Sequence, residues 1–378
     1  MRVTSIIRGP EDSEESNEGP RRPWRIAQVA PLHESVPPRL YGGTERVVSH
    51  LTEELVAMGH DVTLFASGDS VTSARLIPTR ERALRLDPTR PDPIAMHLLQ
   101  LERVFREADR FDVIHFHCDF IHYPLTRRLG IPSLTTLHGR LDVPGLEDLY
   151  REFSDIPLVS ISNSQREPIP WANWRATVYH GLPPNFATAQ TQSGEYLAVL
   201  GRVSPEKGVD RAIEIARSTG LPLRIAAKVD PADQEYFDTV IQPLLREPGI
   251  EYLGEIGEGD KAEFLGRAYA LLFPIDWPEP FGLVMIEAMA CGTPVVAFRR
   301  GSVPEVLEDG VTGYIVSNVD EAISAVERVP ALSRATCRAV FEERFSAERM
   351  ARDYLAAYAS LEREPRRLDG SCEPALTT

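Results

Sequence analysis

Apolar and polar positions fall in blocks along this chain, and the blocks switch between two periods. Short apolar runs at residues 26–30, 62–66, 113–116, 133–137, 158–161 and 177–179 read as buried strands. Between the first two, Val47, Val48, Leu51 and Leu55 recur at helical spacing, and Gly59 ends that helix. Strand, helix and strand in that order open a βαβ unit. A second series starts at 196–200 and continues through a helix near 209–217, a strand at 223–227 and a helix near 234–245. Further strands are predicted at 251–253, 270–273 and 294–297. Each series predicts an α/β, Rossmann-like, doubly wound parallel sheet with ligand sites at the carboxyl ends of its strands. The join lies near 183–194, which separates a domain at 23–185 from one at 190–345. Residues 1–22 and 363–378 are polar, lack periodicity and read as disordered tails.

One stretch departs from both periods: W-P-E-P-F-G-L-V-M-I-E-A-M-A-C-G-T-P at 277–294. Pro280 near its start and Gly292 near its end bracket a predicted helix of about three turns. Phe281, Leu283, Val284, Met285, Ile286 and Met289 leave no polar stripe, so the helix is buried or lines a cleft. Glu287 then needs a partner. At the other end, the N–H groups of Phe281, Gly282 and Leu283 beside Glu279 favour an anion such as phosphate. Donors for phosphate and a carboxylate for hydroxyls suit a sugar nucleotide.

Composition narrows the class. A chain of 378 residues suits two domains, and 43% hydrophobic with 26% charged residues is ordinary for a globular protein. The net charge of −15 argues against a general nucleic-acid binder, which needs a basic face. No apolar run reaches the roughly 20 residues that span a bilayer. The N-terminus lacks a signal-peptide core, and Cys118, Cys291, Cys337 and Cys372 show no C-x-x-C spacing. The expectation is a cytoplasmic protein with at most peripheral membrane contact. Arginine supplies nearly all the positive charge; Lys207, Lys228 and Lys261 are the only lysines.

E-P-F-G-(x)4-E-A-M-A-x-G-x-P-V-V closely resembles the E-x7-E region of the retaining family 4 glycosyltransferases, which have the GT-B fold of two Rossmann-like domains facing across a cleft. The resemblance spans roughly residues 24 to 362. It implies that Glu279 touches the donor sugar's hydroxyls and that Glu287 binds the nucleotide ribose. G-R-V-S-P-E-K-G at 201–208 is similar to the family's diphosphate site, which assigns Arg202 and Lys207 to the leaving diphosphate. Gly42 and Gly43 resemble the glycine loop that closes on the donor from the first domain, with Glu45 beside it on the acceptor side. His138, in T-L-H-G-R, aligns with the family's histidine near the reacting sugar, in a positioning role. The resemblance also implies that the last helix, 346–362, returns to the first domain.

His115 and His117 alternate along F-D-V-I-H-F-H and point to one face of the strand. His115 reads as a satisfied structural histidine, and His117 could line the cleft. No further His/Cys set gives a zinc spacing, and no Asp-x-Asp triplet occurs, so no metal and no cofactor is expected. Lys228 could reach the nucleotide or stay solvated, and Glu305 reads as a first-turn helix acid. The donor expected is a UDP-, GDP- or ADP-hexose, and the acceptor an unidentified hydroxyl on a glycan, small molecule or lipid. By resemblance the chemistry is front-face displacement by a hexosyltransferase (EC 2.4.1.-). Two rivals remain at this point. A nicotinamide-dependent oxidoreductase needs G-x-G-x-x-G after a first strand, and neither first strand is followed by one. A non-catalytic GT-B-like protein that binds a nucleotide sugar or glycan keeps the fold without the reaction.

Overall fold

The computed structural model describes residues 22–40, 42–192 and 194–362. Apart from Arg22, the tails predicted at 1–22 and 363–378 lie outside the described residues. The first sheet contains β1 (Arg25–Val29), β2 (Asp61–Ser67), β3 (Arg75–Arg80), β4 (Val113–Phe116), β5 (Ser133–Thr136), β6 (Leu158–Ser160) and β7 (Trp174–Thr177). Its spatial order is β3-β2-β1-β4-β5-β6-β7. The second contains β8 (Tyr196–Val203), β9 (Leu223–Val229), β10 (Ile250–Gly254), β11 (Ala268–Phe273), β12 (Val295–Phe298) and β13 (Gly313–Val316), in the order β10-β9-β8-β11-β12-β13. Every pairing within the two sheets is parallel. This is the α/β, doubly wound architecture that the apolar blocks predicted.

In each sheet the strand order reverses beside the first strand, at β1/β4 and at β8/β11. Such switch points open a crevice at the strand ends, where ligands of this architecture bind. Helices cover the sheets because their apolar stripes need a partner: Val47, Leu51 and Leu55 of the helix Gly43–Ala57 are buried with Ile26 of β1 and Val62 of β2. Met350, Ala351, Tyr354, Ala357 and Tyr358 of the last helix, Ala347–Glu362, join that same cluster. The chain arrives there by running beside the segment that leaves the first sheet. Leu182 N–H donates to the Phe345 carbonyl at 2.9 Å, and Ala347 N–H to the Leu182 carbonyl at 2.9 Å. Cys118, Cys291 and Cys337 are buried free thiols.

The departures from the sequence reading concentrate at sheet edges. Strands β3 and β13 were not predicted, and β7 lies at Trp174–Thr177 rather than 177–179. All three border a sheet on one side only. Edge strands carry charges and proline that blunt further pairing, as R-L-I-P-T-R does, so their apolar signal is weak. The helix Pro93–Arg106 was also unpredicted; Asp92 caps it by accepting from Ala95 N–H at 2.8 Å, but Ile94, Leu98 and Leu99 are exposed and blur its apolar face. The segment predicted as one helix over 234–245 is interrupted by a π-helical turn at Phe237–Ile241. In the central stretch the helix begins at Leu283 rather than beside Pro280, because Gly282 adopts φ +79°, outside the α-region, and ends the preceding loop.

Candidate active site between the two sheets

The helix Leu283–Ala290 is buried from Met285 onward, as an apolar wheel requires. Glu287 is only 3% exposed, and its partners come from both sides of the cleft. Lys261 Nζ lies 3.0 Å from its Oε1, and Arg46, on the helix Gly43–Ala57 of the first unit, lies 3.8 Å away. Burial pushes this carboxyl up, but Lys261 and Arg46 outweigh burial and hold it below its ordinary value. Arg46 also pairs with Glu258 at 2.8 Å, so one buried arginine ties the two units together beside Glu287. Neither Arg46 nor Lys261 was singled out by the sequence reading. A buried carboxylate demands some cation; Lys261 lies 26 positions away, but Arg46 lies more than 200 positions away and comes from the other unit.

At the start of the central stretch, Glu279 accepts from Lys207 Nζ at 2.5 Å and from Trp277 Nε1–H at 2.9 Å. Lys207 stands over the Trp277 ring at 4.3 Å, with Arg140 of the first unit 5.6 Å from the same ring. Thus the two motifs of the second unit, 201–208 and 277–294, meet at one ion pair. The loop holding Glu279 is clamped by Gly301 and Ser302. Ser302 N–H donates to the Glu279 carbonyl at 3.0 Å, and its hydroxyl to the Phe281 carbonyl at 2.8 Å. A Cβ at Gly301, where φ is +50°, would stand 2.4 Å from both the Glu279 nitrogen and its carbonyl oxygen, so only glycine fits. Arg202 sits at the end of β8 among Glu206 at 3.0 Å, Asp230 at 3.4 Å and Asp233 at 3.9 Å, and Lys228 pairs with Asp230 at 2.7 Å. These cations are therefore paired with carboxylates at the end of the strand.

From the opposite side, a Cβ at Gly43 would lie 3.5 Å from Leu283, so the glycine loop of the first unit abuts the start of the helix at Leu283. Gly42 lies against Pro38 and Glu34, and its carbonyl accepts from Arg46 N–H at 3.2 Å. Glu45 is 5% exposed and accepts from Glu34 N–H at 3.3 Å; burial raises its carboxyl. It stands behind Glu34, which receives Arg85 at 2.6 Å.

Histidines form the rest of that wall. His138 Nε2 meets His117 Nδ1 at 2.9 Å, and His117 Nε2 meets Gln28 Oε1 at 2.8 Å. The His138 Nδ1 is shut off from solvent with no hydrogen-bond partner. Its ring stacks on His180 at 5.4 Å, and His180 in turn meets the buried Phe281 edge at 4.7 Å. Burial drives His138 down to about 3, and His117 and His180 also fall well below the ordinary value, so all three rings are neutral near pH 7. His115 is fully buried with both ring nitrogens occupied, by the Tyr358 hydroxyl at 2.8 Å and the Thr136 hydroxyl at 2.7 Å. Glu305 acts across the cleft: it accepts from Asn163 N–H and Ser164 N–H, both at 2.7 Å, and from the Tyr179 hydroxyl at 3.0 Å. Among the described residues, no group of three or more His, Cys, Asp or Glu side chains is arranged to hold a metal ion, and no helix is long and apolar enough to cross a membrane.

Comparison with known proteins agrees with this geometry. Residues 186–336 match the family described as "Glycosyl transferases group 1", and residues 41–179 match "Glycosyltransferase Family 4". The chain is 28% identical over 370 residues to a glycogen synthase of Mycobacterium tuberculosis strain H37Rv, covering 84% of this chain and 86% of that protein. Two solved structures share the fold. A sucrose-phosphate synthase from Thermosynechococcus elongatus superposes with a TM-score of 0.72 at 19% identity, over 90% of this chain and 99% of that one. An Anabaena protein solved with UDP and glucose gives 0.69 at 16% identity, over 89% and 100%. Two matched segments, each centred on one of the two sheets, and these likenesses place the chain in one group: it belongs to the family 4 glycosyltransferases of the GT-B fold.

Proposed function

We propose that this glycosyltransferase moves a hexose from a nucleoside-diphosphate sugar to a hydroxyl acceptor, with retention at the anomeric carbon and without a metal. The observation that carries the reading is the Lys207–Glu279 pair at 2.5 Å, just before the helix Leu283–Ala290, whose first residue abuts Gly43 of the first unit's glycine loop. Lys207 and Arg202 would exchange their carboxylate partners for the diphosphate and neutralise it as it leaves. Glu279, released from Lys207, would take the sugar hydroxyls, with the N–H groups of Phe281, Gly282 and Leu283 alongside. Glu287 would take the ribose, with Gly42 and Gly43 closing over the phosphates.

In the reaction, the acceptor oxygen bonds to the anomeric carbon on the face from which the phosphate departs. The bond from that carbon to the phosphate oxygen breaks, its electron pair stays on the phosphate, and the acceptor's proton passes to that same oxygen. No carboxylate is assigned as a covalent nucleophile. His138 would orient the sugar from the first unit, with Glu45 and His117 behind it on the acceptor side. In this reading residues 23–185 with the helix 346–362 form the acceptor-side domain, and 190–345 the donor domain. The donor is a UDP-, ADP- or GDP-hexose; that the Anabaena neighbour is solved with UDP and glucose makes UDP-glucose the first probe. The acceptor class is a glycan, small molecule or lipid hydroxyl, reached with at most peripheral membrane contact, and no nucleic acid is involved.

Calorimetric titration of UDP, ADP and GDP, each with and without chelator, tests the donor site. One nucleotide binding equally well in both conditions is the expected result, and loss of binding on chelation overturns the metal-free assignment. Failure of all three to bind removes the roles given to Arg202, Lys207 and Glu287. Once an acceptor is found, the anomeric proton coupling of the product reads retention directly.

A further inference from the structure

Behind His138 lies a hydrogen-bonded chain that crosses the first sheet and ends on the last helix. Gln28 on β1 stands in the middle of it, fully buried. Its Nε2 donates to the Tyr358 hydroxyl at 3.1 Å, while its Oε1 faces His117 Nε2 at 2.8 Å. A carbonyl oxygen only accepts, so His117 carries its proton on Nε2 and leaves Nδ1 as an acceptor. His138 must then donate through its own Nε2 to His117 Nδ1. A neutral imidazole has one N–H, so the remaining nitrogen of His138, Nδ1, is a bare acceptor. That is the atom found buried without a partner.

The other arm gives the same polarity. Tyr358, having accepted from Gln28, spends its one hydrogen on His115 Nδ1. His115 therefore donates from Nε2 to the Thr136 hydroxyl, which in turn donates to the Tyr354 hydroxyl at 3.0 Å. Along this arm Tyr358, His115 and Thr136 each give one hydrogen and take one, and no donor meets a donor. The amide is the only member whose two ends are chemically different, so its orientation decides the direction of the whole chain.

We propose that Gln28 is a positioning residue that sets the tautomers of His117 and His138, so that His138 presents an acceptor Nδ1 to a hydroxyl of the sugar in the cleft. The second half of this statement rests on the glycosyl-transfer reading above; the first half does not. The consequence is a preference for a sugar that offers a donating hydroxyl at that position. An accepting nitrogen left buried and unpaired penalises a sugar that lacks it.

The test is the imidazole nitrogen spectrum of protein labelled with 15N-histidine, with His117→Gln and His138→Gln used for assignment. Wild type is expected to show both rings protonated on Nε2. Gln28→Met removes both ends of the amide and is expected to give mixed tautomers at both histidines. Gln28→Glu is isosteric, keeps the acceptor facing His117 and is expected to retain the wild-type tautomers. A wild-type His138 protonated on Nδ1, or unchanged tautomers in a folded Gln28→Met protein, overturns the proposal. Should the Met variant fail to fold, the Glu variant decides: mixed tautomers there overturn it too. In a transfer assay, Gln28→Met is expected to lower kcat at least about tenfold with donor KM little changed. An equal rise in KM with unchanged kcat overturns the link to the sugar. A wild type without transfer activity would instead remove the reading of the cleft and leave the tautomer result standing.

Discussion

The two walls of the cleft are built from opposite chemistries. On the first unit's side, His115, His117 and His180 are at most 3% exposed and neutral, and they hydrogen-bond or stack in a chain that reaches the last helix. On the second unit's side, Arg202 and Lys207 keep 29% and 19% of their side-chain surface, and each is paired with carboxylates. A deeply buried group without a charged partner cannot carry a charge cheaply, so the histidine part of the first wall offers neutral hydrogen bonds, in fixed directions, while Arg46 stays charged beside Glu287 and Glu258. A half-exposed cation can hold a carboxylate now and a phosphate later, because water and salt soften both states. That contrast is what the proposed donor would require, with a neutral sugar at one end and an anionic diphosphate at the other.

The largest effect expected from this contrast is an acid sensitivity carried by the first unit's histidines. All nine histidines, His33, His50, His60, His97, His115, His117, His122, His138 and His180, have folded values lowered by burial, His50 to about 4 and His138 to about 3. The unfolded chain binds protons at these rings below the ordinary value of 6.5 and the native chain does not. Stability therefore falls as pH drops below that value and stops falling only when the native rings titrate. Each ring contributes up to about 1.4 kcal/mol per pH unit in that window, so together they should cost several kcal/mol by about pH 5. Urea unfolding at pH 7 and pH 5 checks this, and equal midpoints would remove the neutral-wall description. The carboxylates around Arg202 should play no part there, because Asp230 and Glu206 are held below their ordinary values of 3.8 and 4.5.

Next in size, Lys207→Ala should lower turnover about 10²–10³-fold, the scale for removing one group that meets developing charge, while nucleotide affinity changes much less. Steady-state rates beside calorimetry separate the two. If His138→Ala costs more than Lys207→Ala, the charged wall is not the main contributor. Glu287→Ala should weaken nucleotide binding roughly tenfold, the scale of about one charge-assisted hydrogen bond, without a matching loss of turnover at saturation. It also leaves Lys261 with Glu258 at 3.3 Å as its remaining partner, so a lowered unfolding midpoint is expected in the same protein. The smallest effect is ionic. Raising salt from about 0.05 to 0.5 M should weaken nucleotide binding a few-fold by screening the exposed cations, and should leave the kcat ratio of wild type to Gln28→Met unchanged.

Much of this was legible in the residues. The apolar blocks placed the inner strands of both sheets because a strand covered on both faces is apolar throughout, whereas the edge strands β3 and β7, R-L-I-P-T-R and W-R-A-T, carry a mixed signal, and the four-residue edge strand β13 is too short to show a period. The motif at 277–294 and the loop at 201–208 could be paired by resemblance, but not the 2.5 Å contact between Lys207 and Glu279 that joins them. Gly301 and Ser302 left no sequence signal of their own, since a Gly-Ser pair ordinarily marks a turn; their use as a clamp on the Glu279 loop emerges only from the 2.4 Å approach of the backbones. Glu305 is the first-turn acid that its sequence position suggested, in the helix Val303–Val306, but its bonds to Asn163 N–H and Ser164 N–H of the opposite unit had no signal in the residues.

What the sequence by itself determined is local: where periods of two and 3.6 run, where glycine permits a left-handed turn, and which segments carry both apolar faces and isolated charges. Those are properties of a residue and its near neighbours, and short-range sterics and burial preference suffice to set them. What only the tertiary structure decided is which isolated groups satisfy one another. Glu287 found Arg46 across the cleft, and Gln28 found Tyr358, 330 positions later, on a helix that returns to the first sheet. A buried polar group must be paired, which the residue type alone says, but the partner is whatever the folded chain brings within about 3 Å, and no spacing in the sequence encodes that distance.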